Sequence, residues 1–285
     1  MNQNKAFIRK IVISLGLLTI IFLTLHGTLD ERGERYTDDA FTRALVTFGI
    51  ARGLNGVISV AQGTEVALHP AGFGVNFTPG QVLDPINDLV EQFSWVMLAA
   101  SASLGIQKVF LSISSTMVVS GVLLILLCLY GLSVWQPGLF AAGGRQLIVS
   151  AAIVALFLRF SVPLAAIGGE LLYNYFLKQQ YIESTQILEN TTAAIQEIST
   201  KEDEVLKSTM GEGMLDKAKR LFNSATESLA LTSKLEKYKE TAAEATTQAI
   251  NLIVIFVIQT IMFPLLFLWT IYRSMKFMWA NFLSN

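Results

Sequence analysis

The chain has 285 residues, 52% hydrophobic and 15% charged, with mean hydropathy +0.51 and a formal net charge of −1 at pH 7. Soluble domains carry about 25% charged residues, so this is the composition of a membrane protein. The near-neutral charge, with no basic stripe, excludes a nucleic-acid footprint, and the one cysteine, Cys128 inside an apolar run, excludes an internal disulfide or a cysteine metal cluster.

The chain starts with Lys5, Arg9 and Lys10 ahead of an apolar run from Ile11 to Leu25, and charges from Asp30 to Asp39 follow. No small-x-small cleavage site follows Leu25, so residues 1–26 read as an uncleaved anchor, near the short limit for a span. Residues 27–115 read as extracytoplasmic helices flanking a glycine-rich loop. From Tyr36 to Gln62 the pattern is helical, with polar residues Arg52, Asn55, Ser59 and Gln62 on one face. Gly49, Gly53 and Gly56 lie in the same stretch and would let another helix approach closely.

The loop, residues 63–82, breaks helical periodicity. Alternation at Glu65–His69 and Val75–Thr78 around Pro-Ala-Gly allows a short β-hairpin or an ordered loop. Helix resumes at Asp84-Pro85, a capping residue followed by proline in the first turn. Its polar residues include Asn87, Glu91, Ser94, Ser101 and Lys108, and the run Ala99–Ser103 suits tight packing.

Residues 116–168 read as a transmembrane hairpin. The first half, Thr116–Trp135, is uncharged and ends at Gln136-Pro137-Gly138; the second, Leu147–Gly168, contains Arg159 and Pro163. Residues 169–248 then form a long polar interval. A seam of apolar or small residues at Tyr181, Ser184, Leu188, Thr191 and Ile195 continues past Gly211 and Gly213 to Leu215, Ala218, Phe222, Ala225 and Leu229. Spacings of three and four on both arms predict a coiled-coil hairpin turned at the glycines. Residues 249–285 give a final span, containing Gln259 and Pro264, and a short tail with Arg273 and Lys276.

The expected fold class is therefore an all-α integral membrane protein with about four transmembrane helices and an extramembrane helical bundle. An N-terminus inside gathers Lys5, Arg9, Lys10, Arg145, Arg273 and Lys276 on the cytoplasmic side. Counting Phe93–Leu111 as a further span would send Arg273 and Lys276 outside, so that stretch is kept out of the membrane. Both termini are then cytoplasmic. The lack of a eukaryotic targeting feature and the compact loops point to a bacterial inner membrane, with the bundle in the periplasm.

Arg159 is the most pointed candidate site, because an arginine within a span is expensive and needs a partner or a use. At 1.5 Å per residue it lies about 13 Å below Gly168, and Gln259 lies about 15 Å below Ala249, so the two are expected to pair. The loop residues Glu65, His69, Phe73, Asn76 and Phe77 are the candidate partner-binding surface. Arg43 and Arg52 are expected to pair with Asp84, Asp88 and Glu91 across two antiparallel helices. His26 and His69 are far apart and lack neighbours at metal-ligand spacing, and no phosphate loop, nucleophile elbow or paired carboxylates occur. No cofactor and no enzymatic activity are expected.

The small cytoplasmic face leaves no room for an output domain. The expected function is a non-enzymatic membrane scaffold, or a signalling or assembly subunit, with lipid and a protein partner or a second copy as its neighbours. The alternative is a homo-oligomeric channel or transporter component using Arg159 and Gln259. Against the alternative, Thr116–Trp135 offers almost no polar residues to line a pore.

Overall fold

The computed structural model describes residues 2–63, 66–68, 75–77, 84–136, 138–209, 240, 241 and 243–283. The described chain is overwhelmingly helical. In order it forms α1 (Asn2–His26), α2 (Thr28–Gly63), β1 (Val66–Leu68), β2 (Val75–Phe77), α3 (Asp84–Ser114), α4 (Met117–Trp135), α5 (Ala142–Leu172) and α6 (Lys178–Thr209). Then follow α7 (residues 243–257) and α8 (Phe263–Leu283). A π turn, Tyr173–Leu177, joins α5 to α6, and a second, Ile258–Met262, joins α7 to α8.

Among the described residues, five helical stretches are long and apolar enough to cross a membrane: Phe7–His26, Asp84–Ser114, Met117–Trp135, Gly143–Glu197 and Ala243–Phe277. The sequence expectation was about four. The difference is α3, which holds a long apolar stretch with few charges after Asp84, Asp88 and Glu91 of its first turns.

The chain divides into two compact units, residues 1–42, 101–176 and 258–285 forming the first. Here α5 serves as a ruler. Ile13 and Leu17 of α1 pack against a cluster of Tyr130, Val134, Ile148 and Val149, and further along α1 Ile20, Ile21 and Leu23 pack against a cluster of Leu123, Leu127, Ala155 and Phe160. Higher up α5, Asp30 meets Arg159, Gly33 lies against Pro163 and Ala166, and Tyr36 against Gly169. So α1 and the first part of α2 both run parallel to α5. Helix α4 runs the other way, with Ser120 at Arg159, Leu123 and Leu127 near Ala155, and Tyr130 and Val134 near Ile148.

The helix breaks have local causes. Gly27 takes φ +62°, a left-handed conformation that suits glycine. Its carbonyl accepts the amides of Asp30 and Glu31, both at 3.0 Å, and so starts α2. Helix α4 stops at Trp135, before Gln136 and the Pro137-Gly138 pair in the sequence.

The second unit comprises residues 43–100 and 177–257. Ala44, Thr47, Ala51, Leu54 and Ile58 line the buried face of α2, and Arg52 and Ser59 point outward. The expected seam on α6 is buried at Tyr181, Ser184, Leu188, Thr191 and Ile195. Facing it, α7 buries Ala245, Ala249, Leu252, Ile255 and Phe256. Ser184 donates to Gln248 Oε1 at 2.8 Å, and the Tyr181 and Phe256 rings meet edge to face. Gly211, Gly213 and the return-arm positions from Leu215 to Leu229 lie outside the described residues.

The expected close approach at Gly49, Gly53 and Gly56 is not found: a Cβ at any of them would have open space. Their neighbours on the buried face, Ala51 and Leu54, make the contacts and the glycines look outward.

Candidate functional site

The charged site of the first unit is assembled from three helices. Arg159 projects from the apolar middle of α5, and its side chain is 2% exposed. A guanidinium in that position must find a charge-compensating acceptor or shed its charge, and arginine does not readily deprotonate. Its own stretch supplies none, for the sequence has no Asp or Glu from Gln92 to Gly169. The acceptor is Asp30. Arg159 Nη1 donates to Asp30 Oδ1 at 2.6 Å, Nη2 donates to Oδ2, and Nε donates to Ser120 Oγ at 3.0 Å. The paired fork geometry is the strong form of this interaction.

Local structure positions each partner. The Gly27 break sets Asp30 in the first turn of α2, where the positive end of the helix dipole favours a carboxylate. Ser120 lies in the first turn of α4. Four residues beyond Arg159, Pro163 cannot return an N–H to the Arg159 carbonyl. Gly33 lets α2 close over that point, since a Cβ there would lie 3.4 Å from both Pro163 Cα and Ala166 Cβ.

The expected Arg159–Gln259 pair is therefore replaced by two separate arrangements. Gln259, also buried, donates from Nε2 to Tyr36 Oη at 2.7 Å, and its Oε1 has no hydrogen-bond partner. Charge explains the outcome: a carboxylate compensates a buried cation, which a neutral amide cannot do. Tyr36 is held in turn against Gly169, where a Cβ would come within 3.0 Å of the ring and its hydroxyl. Beside Gln259, the Thr260 carbonyl accepts Ser103 Oγ and Gln107 Nε2, each at 3.4 Å. Pro264 has no N–H for that carbonyl, which lies one helical turn before it.

Helix α3 contributes one more ion pair in this unit, Lys108 Nζ to Asp38 Oδ1 at 2.6 Å, with both side chains about half exposed. On the same helix Ile106, Val109, Phe110 and Ile113 are 57, 59, 56 and 52% exposed. Their spacing of three and four makes one apolar stripe.

In the second unit the loop strands β1 and β2 pair antiparallel, with Val66 opposite Phe77 and Ala67 opposite Asn76. This is the short hairpin that the alternating sequence allowed. Asn76 and Phe77 thus lie on β2, and Glu65, His69 and Phe73 lie outside the described residues. The loop's flanking helices are tied by Gln62 Nε2 donating to Asp84 Oδ1 at 2.7 Å. Arg52 lies over the Phe48 ring, 5.7 Å from its centroid. Asp84 therefore takes an amide, where the sequence suggested an arginine.

Sequence reasoning identified Arg159 and missed Asp30, Ser120 and Tyr36. One signal was available: with no acid between Gln92 and Gly169, the partner had to come from another segment. Asp30, the first carboxylate of the chain, follows the anchor directly. Compared with protein-family models, with curated proteins and with solved structures, the chain matches none.

Proposed function

We propose that this protein is a non-enzymatic membrane scaffold or assembly subunit that presents its helical bundle to a partner protein. In this reading the chain crosses a bacterial inner membrane four times, through α1, α4, α5 and the α7–α8 stretch. Both termini are cytoplasmic, and α3 and the coiled-coil hairpin lie outside. The bundle and the two-stranded loop are the surfaces offered to the partner.

The observation that carries the proposal is the mixed surface of α3. Its exposed stripe of Ile106, Val109, Phe110 and Ile113 calls for apolar cover. The half-exposed pair that Lys108 of the same helix makes with Asp38 of α2 is poorly suited to hydrocarbon. A protein surface can satisfy both, since interfaces combine an apolar centre with a polar rim. The four-crossing count is supported by the order of contacts along α5, in which α3 lies beside the charged start of α2: Leu111 near Gly33, and Lys108 at Asp38.

The channel alternative loses support from Arg159. Its guanidinium is buried and bonded to Asp30 and Ser120 of the same chain, so it does not offer a charge to a passing ion.

A photo-reactive amino acid at Val109 tests the proposal in living cells. The expected product is an adduct with another polypeptide, either a different protein or a second copy of this chain. Adducts with lipid alone would mean that α3 faces the bilayer, and both the partner surface and the four-crossing count would fall.

A further inference from the structure

Among the described residues, one end of the first unit gathers cations with no carboxylate in ion-pair reach. The sequence contains no Asp or Glu before Asp30 and none from Gln92 to Gly169, yet those stretches hold Lys5, Arg9, Lys10 and Arg145. Among the described residues, none of these four has a carboxylate within ion-pair distance. Lys5, Arg9 and Arg145 are exposed.

The fold brings these cations together from different helices. Helix α1 runs antiparallel to α4, so its first turns lie beside the last turn of α4. Trp135 Nε1 donates to Ser14 Oγ at 3.0 Å, and Lys10 Nζ stands 5.9 Å from the centre of the Trp135 ring. Helix α5 starts at the same end, for Ile148 and Val149 pack with Tyr130, Val134 and Ile13. Arg145, in the first turn of α5, therefore lies at the same end of the unit as Lys5, Arg9 and Lys10.

Below the cations the surface turns apolar. A shallow groove is lined by Lys5, Ile8, Arg9, Val12 and Ile13. Ile8 and Val12 are 59 and 63% exposed along one side of α1. The groove therefore presents positive charge at one end and branched aliphatic side chains at the other. The Trp135 indole stands at the level of the charges, where amphipathic rings settle at a membrane interface.

We propose that this end of the molecule is a binding site for an anionic phospholipid. Lys5, Arg9 and Arg145 hold the phosphate headgroup, and Ile8, Val12 and Ile13 receive the first part of an acyl chain. Charge complementarity supports the assignment: several uncompensated cations attract anionic headgroups, and basic pockets between membrane helices hold such lipids. The aliphatic lining favours a lipid over a free phosphate, which would use the cations alone. The inference rests on the membrane character of α1, α4 and α5 and is independent of what covers α3.

The test uses the full chain purified in mild detergent. Native mass spectrometry would measure retention of added phosphatidylglycerol or cardiolipin against phosphatidylcholine, with thermal unfolding followed in parallel. The anionic lipids are expected to be retained preferentially and to raise the unfolding temperature. Arg9→Gln with Arg145→Gln should reduce that retention by about five-fold per cation removed. Arg35→Gln with Lys178→Gln removes the same formal charge elsewhere and should leave retention unchanged. Equal retention of phosphatidylcholine, or equal loss in both double variants, would overturn the proposal. So would an equal rise in unfolding temperature with inorganic phosphate, which would assign the cations to a free anion. Crosslinking from Val109 should persist in the Arg9/Arg145 variant, so failure here is separable from failure of the scaffold reading.

Discussion

At the scale of single residues, Arg159 and Asp30 behave as one unit. Removing the arginine alone leaves a carboxylate that is 14% exposed without its cation. Arg159→Leu is therefore expected to lower stability by about 3–5 kcal/mol, the range for breaking a buried pair. Asp30→Leu combined with Arg159→Leu should recover more than half of that loss, measured by unfolding in detergent. Gln259→Leu should add to Arg159→Leu within about 0.5 kcal/mol, because the two side chains share no partner. A strong coupling between Arg159 and Gln259 would contradict the separate arrangements. Arg159 was legible in the sequence because a full charge interrupts an apolar run. Its partner was not, because Asp30 stands at the head of a charged segment that also reads as an ordinary solvated loop. Depth counting then favoured Gln259, since it measures level along a span and ignores the sign of the charge.

At the scale of elements, the helices were legible wherever periodicity was strong, and their closest contacts were not. The α6 seam from Tyr181 to Ile195 is buried as its three-and-four spacing requires. The start of α3 at Asp84 follows from its Asp-Pro signal. Glycines misled, because sequence shows where a backbone can be approached but not whether a neighbour arrives. Gly49, Gly53 and Gly56 have open space, whereas a Cβ on Gly168 would stand 2.8 Å from Phe263 Cζ. Gly168→Ala is accordingly expected to destabilise by about 1–3 kcal/mol through overpacking. Adding Phe263→Leu should relieve part of that loss, and Gly53→Ala should be neutral or stabilising by comparison. Equal effects of Gly168→Ala and Gly53→Ala on thermal unfolding would refute the close approach.

At the scale of the whole molecule, the membrane class followed from composition, and the number of crossings is the quantity that remained ambiguous in the sequence. The reason is physical: beyond its first turns α3 carries only serine hydroxyls, Gln107 and Lys108 among its apolar residues, so length and hydropathy admit it. Parity separates the two counts. After Cys128→Ser, cysteines introduced at Lys5 and at Asn285 should both be protected from an impermeant thiol reagent in spheroplasts, and Glu197→Cys should react. Labelling of Asn285→Cys alone would establish an odd number of crossings. The orientation rests on the positive-inside bias, which the loops of this chain make readable because Lys5, Arg9, Lys10 and Arg145 lie in segments without acidic residues.

The Asp30–Arg159 pair also carries a timing. Its members are 129 positions apart in the chain, so at ribosomal rates the aspartate is made about 6 to 26 seconds before the arginine. During that interval the first helix can enter the bilayer, but Asp30, just beyond its end, has no Arg159 to meet. The pair closes only after the fifth helix arrives, so a ribosome that stalls before residue 159 leaves a product whose Asp30 cannot be neutralised by its own Arg159. Quality control at the membrane would meet that fragment as an anchor with an open acidic end, and the finished protein as one in which the same end is sealed.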